Sequence, residues 1–121
     1  MSFKNLNLIE PVMKALTDEG YIHPTPIQQQ AIPNILAGRD VQGCAQTGTG
    51  KTAAYALPVI QMINNKMIKE AGIKVLVLTP TRELAIQIDA SFAAYGKYCK
   101  VSHAVIYGGV PQFSQAKNLK R

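Results

Sequence analysis

The sequence predicts an α/β domain built on a parallel sheet with crossover helices. Three observations carry that expectation. Strand-like and helix-like segments alternate along the chain, the gaps between strand candidates are long enough to hold a helix each, and a glycine-rich loop joins the first strand candidate to the helix after it. Composition agrees: the 121 residues are 47% hydrophobic and 17% charged, which suits a globular chain and is too apolar for a disordered tail. That length supports one modest core and not two domains, so residues 1–121 are read as a single unit.

The elements follow in order. A first helix is expected from about Ile9 to Glu19, with Pro11 in its first turn, Gly20 just past its end, and Val12, Met13 and Leu16 as its apolar stripe. Thr25-Pro26-Ile27-Gln28 opens a second helix, Thr25 serving as N-cap and Pro26 as first helical residue. Pro33 is expected to kink or split it before Gly38 ends it. Three strand candidates come next, around Val41–Ala45, Lys74–Thr79 and Val101–Tyr107, the last two rich in Val, Ile or Leu. Helical stretches from about Lys51 to Lys66 and from about Arg82 to Tyr98 fill the intervals between them. A segment after Pro111 could begin a further helix.

Several classes are set aside by the same reading. The longest aliphatic block, Val75 to Leu78, is far short of the about 20 residues that a membrane helix needs, so no membrane partner is expected. The N-terminus has no long apolar stretch behind a basic cap, which argues against a signal peptide. Cys44 and Cys99 stand in no ligand or disulfide spacing, and two reduced thiols fit a cytoplasmic protein. A net charge of +6 favours anionic partners, nucleic acid or nucleotide among them. His23 and His103 are lone histidines and receive no role.

The loop Ala45-Gln46-Thr47-Gly48-Thr49-Gly50-Lys51-Thr52 carries the chemistry. Its glycines let backbone N–H groups converge on an anion, and the helix beginning at Lys51 adds its positive dipole end. Lys51 would reach the β- and γ-phosphates of a nucleotide, and the Thr52 hydroxyl would ligate Mg²⁺. The common phosphate-loop pattern starts with Gly, where this chain has Ala45. Gln28 is the candidate reader of adenine, because one amide can donate to N7 and accept from the N6 amine in a single plane. A second role competes for the same side chain: Thr25-x-x-Gln28 is a capping box, in which Gln28 turns back to the Thr25 backbone N–H.

Gly20-Tyr21-Ile22-His23-Pro24-Thr25-Pro26-Ile27-Gln28 resembles the Q motif of DEAD-box RNA helicases, with Phe3 at the upstream aromatic position. Ala45–Thr52 is similar to motif I of that family, which itself begins with Ala. Pro80-Thr81-Arg82-Glu83-Leu84-Ala85 resembles motif Ia, and Gly108-Gly109 the GG element. The resemblance implies the N-terminal portion of a RecA-like first domain, a P-loop NTPase fold of which three strands are represented. It implies ATP or ADP with Mg²⁺ as cofactors and RNA as partner. Carried over by position, Gln28 would read adenine, Phe3 would pack near the base, and Tyr21 would shape the pocket. Thr47 to Thr52 would hold phosphates and metal, and Pro80, Thr81, Arg82, Gly108 and Gly109 would lie along the RNA backbone. Other readings of these residues remain: Phe3 as an anchor of the N-terminal arm, Thr81 as a helix N-cap, Arg82 as a solvated first-turn residue, and Gly108-Gly109 as a turn.

The departures from the family pattern carry equal weight. No Asp-Glu-Ala-Asp and no Ser-Ala-Thr element occur, and the second RecA-like domain is absent from these residues. The expectation is therefore an ATP-dependent RNA helicase as parent, with the 121-residue chain binding nucleotide but neither hydrolysing ATP nor unwinding RNA. Three parallel strands would leave edges open, so self-association of the truncated domain is also expected. Two other functions stay open at this point: a P-loop motor acting on DNA, and a stand-alone, non-catalytic nucleotide-binding module.

Overall fold

The computed structural model describes residues 2–44, 50–65 and 72–106. A short 3₁₀ turn at Phe3–Leu6 precedes four α-helices: α1 (Glu10–Asp18), α2 (Pro26–Leu36), α3 (Lys51–Asn64) and α4 (Arg82–Tyr95). All four helices expected from the sequence form, and their ends follow local chemistry. α1 has Pro11 in its first turn and closes in a Schellman motif: Gly20 takes a φ of +76°, its N–H meets Thr17 C=O at 3.0 Å, and Tyr21 N–H meets Leu16 C=O at 2.9 Å. α2 begins with Thr25 as N-cap and Pro26 at its first position, and it runs through Pro33 as a single helix. α4 starts on Thr81, whose Oγ1 accepts from Leu84 N–H at 3.1 Å. Its last helical residue is Tyr95, three before the expected end at Tyr98, with Gly96 as its C-cap.

α3 is the centre of the structure, packed against α2 on one side and α4 on the other, while α1 leans on α3 and α4. Its sequence explains the position. Ala53, Ala56, Leu57 and Ile60 recur at helical spacing and are buried, and small residues at 53, 54 and 56 allow neighbouring helices to approach closely. Pro58 sits inside α3 and is buried, so the helix forgoes one backbone donor in exchange for a ring packed in the interior. The core joins Phe3 and Leu6 of the N-terminal turn to Val12, Leu16, Ile32, Leu57, Ile60, Phe92 and Tyr95.

The expected parallel sheet is not seen among the described residues. No strand is formed among them: 41–44, 74–79 and 101–106, the described parts of the three strand candidates, carry neither helix nor ladder. Aliphatic and β-branched content sets a local preference, whereas a parallel ladder exists only when segments about 30 residues apart supply each other's N–H and C=O partners. The middle segment is open to solvent: Leu76 is 77% and Leu78 84% exposed. The expected extension of α3 to Lys66, Ala45 and Tyr107 of the strand candidates, and the segment after Pro111 lie outside the described residues.

Candidate nucleotide-binding site

Two features converge at the N-terminus of α3. Gly50, its N-cap, has a φ of +83°, in the left-handed region that L side chains rarely adopt. Space forbids a side chain there as well, since a Cβ on Gly50 would lie 2.3 Å from Gln28 Nε2. Among the described residues no side chain caps α3, and its first turn holds no acidic residue. Lys51 is exposed beside its N-terminal N–H groups and positive dipole end, an arrangement suited to a phosphate.

Gln28 connects this terminus to α2. It is 4% exposed. Its Oε1 accepts from Thr25 N–H at 3.0 Å, and its Nε2 donates to Gly50 C=O at 3.2 Å, across 22 residues of sequence. The Gly50 carbonyl simultaneously accepts the Ala54 N–H at 3.1 Å, so both its lone pairs are used. The capping bond expected of Gln28 is present. Its reciprocal half is weak, as the Thr25 Oγ1 is buried without a hydrogen-bond partner beside Gly50. An amide has two donors and two acceptor lone pairs, so these two bonds leave Gln28 one of each.

The other candidates fall as follows. Phe3 is 2% exposed and packed in the core, the position of an anchor for the N-terminal turn. Tyr21 is 46% exposed, its ring 6.2 Å from that of Tyr95. Burial and the neighbouring Tyr21 hydroxyl push the Tyr95 phenol well above its ordinary range. Thr52, in the first turn of α3, is half-buried. Burial raises the Tyr55 phenol. Pro80 and Arg82 are exposed at the start of α4, and Thr81 is spent on capping that helix. Ala45, Gln46, Thr47, Gly48 and Thr49 lie outside the described residues, as do Gly108 and Gly109.

Sequence reasoning missed two groups. Gln61 is a buried amide on the apolar face of α3 that accepts from Ile9 N–H at 2.8 Å and donates to Asn7 C=O at 3.0 Å, pinning the N-terminal segment to the helix of the phosphate loop. Its one signal in the sequence is a polar residue within an otherwise apolar helix. The second is a surface latch in which Asp18 Oδ2 accepts from the Tyr98 hydroxyl and pairs with Lys97 Nζ at 3.1 Å, while Lys14 Nζ lies 4.4 Å from the Tyr98 ring. A cleft of about 380 Å³ between the N-terminal turn, the end of α2 and Gln61 touches none of the candidate residues. Among the described residues no group of three His, Cys, Asp or Glu side chains could hold a metal, and no helix is long and apolar enough to cross a membrane.

The backbone of the described residues is that of a helicase RecA-like domain. It is similar to a DEAD box protein from the hyperthermophile Methanococcus jannaschii, with a TM-score of 0.86 and 37% identity, over 98% of this chain and 32% of that one. It is also similar to the RNA helicase Prp28 from Chaetomium thermophilum bound to ADP, with a TM-score of 0.80 and 38% identity, over 92% of this chain and 28% of that one. In sequence it is 49% identical over 118 residues to the ATP-dependent rRNA helicase RRP3 of Ajellomyces capsulatus. It is 46% identical over 120 residues to the DEAD-box ATP-dependent RNA helicase RhpA of Helicobacter pylori. The chain spans 24% of the length of each of these two relatives. The family profile described as DEAD/DEAH box helicase matches residues 25–121, and the chain belongs to that family.

Proposed function

We propose that these residues form the adenine-nucleotide-binding and RNA-backbone-binding part of an ATP-dependent RNA helicase. The observation that carries the reading is the Gln28–Gly50 bond, which ties the candidate base reader to the phosphate loop. The donor and the acceptor left on Gln28 are the two groups that adenine N7 and the N6 amine require, so capping and base reading are compatible in one side chain. The α3 terminus, which no described side chain caps, supports phosphate binding by exposed Lys51 and the loop from Ala45 to Gly50. The same terminus fits a magnesium ion held by the Thr52 hydroxyl and by the nucleotide's own phosphate oxygens. When bound, the ion would neutralise phosphate charge.

RNA contacts are assigned to Pro80, Arg82 and the Gly108-Gly109 pair, with Thr81 contributing the helix N-terminus that it caps. Backbone contacts of this kind imply little sequence preference. The three extended candidates would pair as parallel strands in the complete domain, and in the 121-residue chain their exposed leucines favour self-association. With no acidic motif in the sequence, the chain would bind nucleotide without turning it over.

The test is a thermal melt of the 121-residue chain with Mg²⁺ alone, with ADP and with GDP. A ligand that binds only the folded state stabilises it by about 2.7 kcal/mol at a hundredfold excess over its dissociation constant. ADP should raise the midpoint and GDP should not, and Gln28→Ala should abolish the difference. A cooperative melt indifferent to both nucleotides would refute the reading.

A further inference from the structure

We infer that Asp89 and His103 form a positioning pair for RNA binding: with Asn64 they fix the third strand candidate against the helices, and so the run that leads in sequence to Gly108-Gly109; this rests on the RNA-backbone reading above. Asp89 Oδ1 of α4 and His103 Nδ1 stand 2.5 Å apart. Three residues before His103, Lys100 N–H donates to Oδ1 of Asn64, the last residue of α3, at 3.2 Å. Asp18 of α1 holds the connection just ahead of that, through Tyr98 and Lys97. Residues 97–103 thus take a side-chain tie from each of α1, α3 and α4, where 101–106 form no ladder. Burial in this run alternates: Val101 packs against the core and Val105 is half-buried, while Ser102, Ala104 and Ile106 are exposed. His103 shares the face of Val101 and Val105, the face turned toward the helices.

The pair acts as a register pin. An imidazole with a proton on Nδ1 donates to a carboxylate whether or not its other nitrogen is protonated, so the tie needs no change of charge. A helix is stiff, and Asp89 lies seven residues from Arg82, two turns along the same face of α4 and about 10 Å away. Holding residue 103 at residue 89 therefore fixes its distance from the helix end assigned to the RNA backbone. Without the pin, a run that no sheet partner holds would have to be ordered each time RNA binds, and that ordering opposes affinity. Both side chains are 33% exposed, so the pair contributes little to global stability and its effect is local.

Fluorescence anisotropy of a labelled single-stranded oligouridylate, titrated with this chain in the absence of nucleotide, tests the assignment. Asp89→Ala should weaken RNA binding about fivefold, with the ADP-induced rise in melting midpoint at its parental size. Charge alone predicts the opposite, since removing a carboxylate from a chain of net charge +6 strengthens its attraction to a polyanion. His103→Ala should weaken binding by the same factor, and the double Asp89→Ala/His103→Ala variant by no more than either change alone. His103→Asn, whose amide donor can take the place of Nδ1, should restore most of the affinity. Parental or tighter RNA binding in Asp89→Ala and His103→Ala overturns the inference and leaves the RNA reading standing. A joint fall in RNA affinity, ADP response and midpoint marks a general loss of structure and overturns it as well. If the parent binds no RNA, the RNA-backbone reading fails first and the role of the pair with it.

Discussion

Replacing Gln61 by Leu should destabilise the chain by about 1–3 kcal/mol, although leucine is close in size and more apolar. Gln61 is 7% exposed and makes two bonds to backbone: it accepts from Ile9 N–H at 2.8 Å and donates to Asn7 C=O at 3.0 Å. Leucine leaves both backbone groups unpaired, at about 1–3 kcal/mol each. The lower half of that range applies because Asn7 is exposed and Ile9 only half-buried, so water can reach them in part. Apolar burial of the new side chain offsets about 1 kcal/mol. With an unfolding entropy of about 2.1 cal/mol/K per residue, each kcal/mol moves the midpoint of a chain this long by about 4 °C, which gives a fall of about 4–12 °C. Calorimetry measures the shift, and amide hydrogen exchange reads the Ile9 N–H, which should lose its protection. The midpoint rise on adding ADP should persist, since Gln61 makes no contact with the α3 N-terminus. A midpoint within about 2 °C of the parent, with Ile9 still protected, would refute the idea that this amide pins the N-terminal segment.

Two further outcomes are expected. Gly50→Ala should cost about 2 kcal/mol or more and remove the ADP-induced shift, because the φ of +83° strains any L side chain and the new Cβ would displace Gln28 Nε2 from its bond; a variant melting and binding ADP as the parent does would contradict this. The Asp18 latch predicts a pH-dependent difference between the parent and Asp18→Asn. The Tyr98 hydroxyl and then Lys97 hold the Asp18 carboxyl below its ordinary value of 3.8, so its stabilisation is present above that pH and is lost as pH falls through the lowered value. Asp18 in turn holds Lys97 above 10.5 and Tyr98 above 10.0, so the stabilisation also fades as pH rises through those raised values. Equal differences in midpoint at acidic, neutral and strongly alkaline pH would show that the latch does not contribute.

The helices were legible because their signals are local. Thr25-Pro26, Thr81 with Glu83, and Gly20 set helix ends through bonds that span three to five residues, and the structure places those ends where the residues indicate. The family was legible for a related reason: the motif residues assigned to phosphate and base occupy consecutive positions, so their spacing survives without any knowledge of the fold.

What the sequence alone determined, then, is the set of helices, the phosphate-loop motif and the family. Gln28 marks where that ends. The sequence offered capping and adenine reading as rivals, and only the packing of α2 against α3, which brings residue 28 to residue 50, shows that one amide makes the cap and the loop contact together with capacity left over. Gln61 and the Asp18 latch likewise depend on neighbours 52 to 80 residues away. The strand candidates fall on the same side of the line. An apolar run fixes what a segment prefers, but a parallel ladder and a buried face are properties of its partners, which no local pattern supplies.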